Sequence, residues 1–230
     1  MSRTYLFWDI DGTLLSTARA GIFAWEDAVR DVLGAEPDMA TMRTAGLTDA
    51  EIAVALAAAH GDESAQTAGR LLREYGERLP EALGRRRGSV LPNVRENLEA
   101  LAGRDDVVNM LLTGNIAAGA EAKLRSYGLC EFFGAGGAFS VEGSDRPGIA
   151  RLARELAARH GGGEVPPGER MVVIGDTPHD VSCGKAIGAR TVAVATGPGY
   201  SLGELRACEP WLAVAQLPEP AAFVERILAP

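Results

Sequence analysis

The chain has few of the residues that hold soft metals or close disulfides: three cysteines and three histidines in 230 residues. Cys130, Cys183 and Cys208 are odd in number, widely spaced and free of any CxxC pattern, which excludes a disulfide scaffold and leaves reduced, mostly buried thiols. His60, His160 and His179 are too scattered for a zinc site. Positive charge is also scarce, with 23 Lys and Arg against 31 Asp and Glu and a net charge of -8. That balance argues against nucleic acid as a partner, because phosphate backbones are held by surplus cations, while a small anion bridged by a metal ion stays compatible. No apolar run approaches the ~20 residues of a membrane span. Met1-Ser2-Arg3 runs straight into the first strand, without room for the charged and apolar regions of a signal peptide. The expectation is a cytoplasmic protein of ordinary enzyme size, with no membrane partner and with an oligomeric state on which the sequence is silent.

What the sequence does contain is organised around one stretch. Tyr5-Leu6-Phe7-Trp8, an apolar run of strand formers, stops abruptly in Asp9-Ile10-Asp11-Gly12-Thr13, which is too polar and turn-prone to continue a buried strand. Helical patterns follow. Ile22, Trp25, Val29, Val32 and Leu33 recur at helical spacing and Gly34 closes that helix. Thr48 and Glu51 have the spacing of a capping box for a helix carrying Ile52 and Leu56, and a third helix carrying Leu71, Tyr75 and Leu79 is expected to stop at Pro80 or shortly after. No convincing strand is visible between residues 16 and 89. Beyond the Arg85-Arg86-Arg87 run, read as solvated, strands and helices alternate. Val107 to Leu112, Phe139 to Val141, Met171 to Ile174, Thr191 to Ala195 and Trp211 to Val214 are the expected strands. Ser201 with Glu204 predicts one more capped helix.

Alternation of this kind predicts an α/β fold, a doubly wound parallel sheet with a Rossmann-like core formed by residues 1–15 and 90–230. The all-helical segment 16–89 is expected to hang over the strand ends as an inserted cap that excludes water from chemistry beneath it. Four polar clusters each end an apolar strand: Asp9 with Asp11, Thr113-Gly114-Asn115, the Asp145-Arg146 region, and Gly175-Asp176 with Asp180. In neighbouring parallel strands these clusters converge on one crevice. Carboxylates with nearby hydroxyl and amide groups form a hard, oxygen-rich site of the kind Mg²⁺ prefers.

These clusters resemble the four motifs of the haloacid dehalogenase-like hydrolase superfamily, and the whole chain resembles its phosphatase branch with a helical cap, such as phosphoglycolate phosphatase-like proteins. The resemblance implies that Asp9 is a nucleophile and Asp11 an acid/base group. It also implies that Thr113, in Leu111-Leu112-Thr113-Gly114-Asn115, holds a phosphoryl oxygen, and that Asp176 and Asp180 are metal-binding acids in Gly175-Asp176-Thr177-Pro178-His179-Asp180. Gly114 and Asn115 are the accompanying substrate-binding candidates, though Asn115 reads equally well as the cap of the next helix. The third motif ordinarily supplies a lysine. This chain has only Lys123, in the helix after the second motif, and Lys185, after the fourth, and neither is placed for the role, so both are left outside the site; Arg146, followed by Pro147 and a helix, sits at the corresponding point and is assigned both catalytic and substrate-binding roles.

The implied reaction is hydrolysis of a small phosphorylated metabolite with Mg²⁺ held by Asp9, the Asp11 backbone carbonyl, Asp176 and Asp180. Asp9 would form an aspartyl phosphate, and Asp11 would need to hold a proton, which burial under a cap beside another carboxylate favours. A dehalogenase has no use for Asp11. A phosphonate hydrolase needs a cap lysine that 16–89 lacks, and a phospho-accepting receiver lacks the helical insertion. A phosphomutase on a sugar phosphate shares every residue and is the nearest alternative. Thr48 and Asp49 are placed to face the substrate from the cap, but the capping box accounts for Thr48 and substrate contact is not the expectation.

Overall fold

In the computed structural model, residues 3–37, 39, 42, 44, 46–141 and 145–229 are described. The chain opens with strand β1 (Thr4–Trp8) and a two-residue strand β2 (Leu15–Ser16). Helices α1 (Ala20–Leu33), α2 (Asp49–Ala59) and α3 (Ala65–Arg85) follow, and then strand β3 (Ser89–Val90). From there helix and strand alternate: α4 (Val94–Ala102), β4 (Val107–Leu112), α5 (Ala117–Ser126), β5 (Gly137–Ala138), α6 (Arg146–His160), β6 (Met171–Gly175) and α7 (Pro178–Ala186). The chain ends with β7 (Arg190–Val194), α8 (Leu202–Ala207), β8 (Leu212–Val214) and α9 (Pro220–Leu228).

Six strands form one parallel sheet in the order β5-β4-β1-β6-β7-β8. The chain winds outward from β1 in both directions, so the crevice of a doubly wound sheet opens at the C-terminal end of β1, between β4 and β6. Trp8 pairs in register with Leu111 of β4 and Ile174 of β6, so the polar residues that follow the three strands leave the sheet along one edge.

Both faces of this sheet are dry, which is why its strands read as nearly unbroken apolar runs. Side chains alternate between the faces. Leu6, Trp8, Leu111, Val172 and Ile174 pack with Leu98, Leu124, Phe223 and Ile227 of α4, α5 and α9 on one side. Tyr5, Phe7, Met110, Leu112 and Val173 pack with Ile149, Ala153, Ala157 and Cys183 of α6 and α7 on the other. A polar pair between β1 and β4 is self-contained: the Trp8 indole donates to Asn109 Oδ1 at 2.9 Å.

Helices α1 to α3 hold a hydrophobic cluster of their own around Trp25, Leu56, Leu71, Tyr75 and Leu79, with Trp25 and Tyr75 stacked at 4.1 Å between ring centroids. The expected local signals are realised. Gly34 ends α1 in the left-handed conformation, and Thr48 with Glu51 forms a reciprocal capping box at α2. Two expectations are corrected. Helix α3 continues through Pro80 to Arg85, because Leu79, Ala82 and Leu83 stay buried against the other helices and that burial outweighs the hydrogen bond lost at the proline. Leu15–Ser16 and Ser89–Val90 pair antiparallel, so the two crossings between the helical block and the sheet form a short ribbon where no strand was expected. A third difference is smaller: the strand expected at Phe139 to Val141 sits at Gly137–Ala138, paired with Leu111 and Leu112. Among the described residues no helix is long and apolar enough to cross a membrane.

Candidate active site

Asp9 is the first residue past β1, held at the sheet edge by its backbone N–H, which donates to the Ile174 carbonyl at 2.9 Å. Asp176 is the first residue past β6, and Asp180 lies in the first turn of α7. Each of the three buried acids brings one carboxylate oxygen within 4.8 Å of the other two. Burial in the first place, and then the neighbouring carboxylates, push Asp9 and Asp176 far above the usual carboxylate range. Three acids gathered this tightly form an oxygen donor set with a deficit of positive charge, which fits a hard divalent cation.

Backbone geometry makes the room. Gly12 has a φ of 83°, and a β-carbon there would stand 2.3 Å from Asp176 Oδ2; one on Gly197 would stand 1.7 Å from the same oxygen. Asp176 is thus walled by two glycines, and Thr13 Oγ1 donates to its Oδ1 at 3.4 Å.

Two buried cations stand beside these acids, Arg146 and Lys123. Arg146 lies at the start of α6, with its Nη1 at 3.0 Å from Asp180 Oδ1 and its Nε donating to the Gly46 carbonyl at 3.1 Å. The other Asp180 oxygen accepts from the Thr177 backbone N–H and hydroxyl. Both oxygens of Asp180 are therefore engaged by protein, and its carboxylate orients Arg146 and the start of α7. Burial works to lower the Arg146 guanidinium, but Asp180 and Asp9 outweigh it and keep it charged.

Lys123 is the residue that sequence reasoning missed. Its ammonium, only 3 % exposed as a residue, sits 2.5 Å from Asp11 Oδ2 and donates to Asn115 Oδ1 at 2.5 Å. The placement of this lysine outside the site is corrected by the packing of α5. Ile116, Ala120 and Lys123 follow one another at i, i+4 and i+7, so Lys123 occupies the helix face that turns inward. A lone lysine on a buried apolar stripe was the available signal. Burial works to lower its ammonium, but Asp11, Tyr75 and Asp49 together raise it above the ordinary lysine value.

Asn115 does not cap α5. Its amide N–H₂ donates to Asp11 Oδ2 at 2.9 Å and to Thr113 Oγ1 at 2.8 Å. Thr113 is fully buried, and its hydroxyl also accepts from the Asn115 backbone N–H at 3.3 Å, so its own hydrogen is left to donate. Asp11 departs from the expected burial: its side chain is 43 % exposed. The turn that follows, bridged between Asp11 and Leu15, leaves the carboxyl facing a cavity.

That cavity, about 480 Å³, lies between the sheet edge and the helical block. Asp9, Asp11, Asp176, Lys123 and Arg146 contribute to its polar side, with Gly114 and Asn115. Ile22, Trp25, Leu47, Ile52 and Tyr75 contribute the apolar side. The start of α2 is tied to the loop after β4. The Asp49 backbone N–H donates to the Gly114 carbonyl at 2.7 Å, the Asp49 carboxylate accepts from the Ile116 backbone N–H at 2.8 Å, and the Ala50 N–H donates to Ser140 Oγ at 3.3 Å. Asp49 is buried and pushed up to about 6, chiefly by burial, with Lys123 pulling it back down. It therefore serves the junction between the block and the sheet. Thr48 is occupied by its cap.

A family model described as haloacid dehalogenase-like hydrolase matches residues 6–185, a span that contains the acids, both cations and the whole helical block. The chain belongs to this hydrolase family. Solved structures agree on the fold. A hydrolase from Pseudomonas syringae superposes with a TM-score of 0.72 at 21 % identity, over 99 % of this chain and 100 % of the other. A protein described as a predicted phosphoglycolate phosphatase from Haemophilus somnus gives 0.69 at 17 % identity, over 99 % and 97 %. CbbY from Rhodobacter sphaeroides in complex with phosphate gives 0.63 at 19 % identity, over 84 % and 86 %. No curated protein sequence matches the chain. In this hydrolase the strand-end acids and Arg146, expected together from sequence, lie together, and Lys123 joins them from a helix to which no role had been given.

Proposed function

We propose that the hydrolase is a Mg²⁺-dependent phosphatase acting in the cytoplasm on a small phosphate monoester, through an aspartyl phosphate on Asp9. The observation that supports this reading is the buried Asp9 carboxylate in the cavity between sheet and helical block, beside the Asp176 carboxylate and within reach of the Arg146 cation. Asp9 and Asp176, with the Asp11 carbonyl, would hold the Mg²⁺, and Asp180 would support the set while orienting Arg146. When bound, the cation supplies neutralisation of phosphoryl oxygens.

The chain's own residues account for the rest. An Asp9 oxygen attacks phosphorus, and the bond from phosphorus to the ester oxygen breaks with its electron pair on that oxygen. Asp11, 43 % exposed toward the cavity, gives the leaving oxygen its proton. A water then attacks phosphorus, Asp11 takes its proton, and the bond to Asp9 breaks to restore the carboxylate and release inorganic phosphate. Thr113, with a hydroxyl hydrogen free to donate, and the Gly114 and Asn115 loop would hold the phosphoryl oxygens. Arg146 would place a fixed positive charge beside Asp9 and the transferring group. The helical block 16–89 would act as the cap, sealed by Asp49 and the Gly46–Arg146 bond, and a cavity of about 480 Å³ admits a small metabolite rather than a polymer.

The test is release of inorganic phosphate from nitrophenyl phosphate and a panel of phosphorylated metabolites, with Mg²⁺ and with chelator. Turnover that needs the metal and disappears in Asp9→Asn supports the reading. Undiminished turnover after complete metal removal refutes it. Including sugar acceptors in the same panel shows whether the phosphoryl group passes to a sugar instead of water.

A further inference from the structure

The mechanism above leaves one buried charged group without a task. Lys123 stands apart from Arg146 in position and in partners: Arg146 serves Asp180 and Asp9, whereas Lys123 bonds to Asp11 and Asn115. The three side chains Lys123, Asp11 and Asn115 close a ring. The ammonium donates to Asp11 Oδ2 and to Asn115 Oδ1, and the Asn115 amide donates to the same Asp11 oxygen. The ring also fixes which way the amide faces, since only its oxygen can accept from an ammonium and only its nitrogen can donate to a carboxylate. Both bonds to Asp11 fall on Oδ2, and the exposed part of the carboxyl is left to the cavity.

We infer that Lys123 is a positioning residue for Asp11, clamping one carboxylate oxygen so that the other is presented to the leaving oxygen of the substrate. The inference rests on the phosphatase reading. Physically, a half-exposed Asp side chain on a turn has several rotamers, and a proton donor is useful in only the one that points at the bridging oxygen. Two charge-assisted bonds to one oxygen select that rotamer. The ammonium is itself held from the helical block. The Asp49 carboxylate of α2 adds to its attraction, and the Tyr75 phenol of α3, fully buried in the stack with Trp25, lines the same cavity. Lys123 therefore stands between the helical block and Asp11, on the cavity that the two share. Arg146 and Lys123 divide the work: Arg146 attends the nucleophile, Lys123 the acid.

The decisive readout is leaving-group dependence. Dinitrophenyl, nitrophenyl and phenyl phosphate are similar in size but differ in how much they need a proton on departure. The burst of phenol released in the first turnover isolates the step in which Asp9 is phosphorylated. With Mg²⁺ present, Lys123→Met is expected to slow the phenyl phosphate burst about 100-fold, the cost of a misplaced catalytic group. The dinitrophenyl burst should slow by no more than about threefold, because that leaving group departs without a proton. Lys123→Arg, which restores charge on a different stem, should recover part of the loss. Lys123→Gln, which keeps a donor on a shorter uncharged stem, should give the same leaving-group dependence, so the question stays answerable if Lys123→Met does not fold. In an Asp11→Asn background, adding Lys123→Met should slow the burst no further. Equal losses across the three esters, or a further loss in the Asp11→Asn background, overturn the inference and leave Lys123 a structural residue. A parent protein that leaves all three esters intact overturns the phosphatase reading itself, and the inference with it.

Discussion

Asp49 gives the sharpest test of how the helical block is joined to the sheet. Its carboxyl is buried, 6 % exposed, and its pKa is raised from 3.8 to about 6, chiefly by burial and only partly countered by Lys123 and the Ile116 N–H. Asp11 adds repulsion and Arg146 attraction. The folded protein thus holds the Asp49 proton more tightly than the unfolded chain does. Between about pH 4 and pH 6 the folded state binds more protons, so stability falls as pH rises through that window, and the full cost is present above it. A shift of roughly two units corresponds to about 3 kcal/mol.

Asp49→Asn keeps an oxygen for the Ile116 N–H and removes the buried charge. Because Lys123 loses one of its counterions in the exchange, the net gain at pH 8 is smaller, about 1 to 2 kcal/mol, or roughly 2 to 8 °C in Tm for a chain of this size. Near pH 4.5 the gain should fall to about a third of its pH 8 value, since only the lower part of the window between the unfolded and folded pKa values has then been crossed. Thermal unfolding of both proteins at the two pH values, in metal-free buffer, measures this. An Asp49→Asn protein that is less stable than the parent at pH 8, or that keeps the same advantage at both pH values, would show that Asp49 and Lys123 form a net stabilising ion pair and refute the reasoning.

The remaining predictions concern the acids, Arg146 and the glycine beside Asp176. Asp9→Asn should lower turnover by at least about 10³-fold, as loss of a nucleophile does, and should leave Tm in metal-free buffer no lower than the parent's, because it removes a charge from the buried cluster. Mg²⁺ should raise the parent's Tm with metal concentration, as any ligand of the folded state does; a flat response would separate the acid cluster from metal binding. Arg146→Ala should cost about 2 to 4 kcal/mol of transition-state stabilisation, with Arg146→Lys recovering part of it; parent values of kcat/KM in both variants would remove Arg146 from the site. Gly12→Ala places a β-carbon 2.3 Å from Asp176 Oδ2 at a φ of 83°, so it should abolish both turnover and the Mg²⁺-dependent rise in Tm while the far-UV spectrum stays that of the parent.

Much of the architecture was legible in the sequence because it is set by short-range rules. An apolar run that ends in Asp9-Ile10-Asp11-Gly12 can only be a buried strand meeting a turn, and the same grammar marks Thr113 after β4 and Asp176 after β6. Thr48 with Glu51 and Ser201 with Glu204 announce helix starts through bonds three residues long. Alternating strand and helix then leaves the parallel sheet, and the parallel sheet brings the strand-end residues to one edge. Other features depend on partners far away in the chain. Pro80 is carried inside α3 because Leu79, Ala82 and Leu83 are buried against the other helices. Leu15 finds Val90 across the whole helical block. Lys123 meets Asp11 over a separation of 112 residues, and Asp49 meets Ile116 over 67. A lysine on a helix stripe reads as a surface residue until the helix is laid against β4 and its inward face is known. Sequence determined which chemical groups stand at the strand ends; only the packing of α5 and the helical block decided which cation reaches which carboxylate, because that is settled by the relative placement of whole elements and not by the spacing of residues within them.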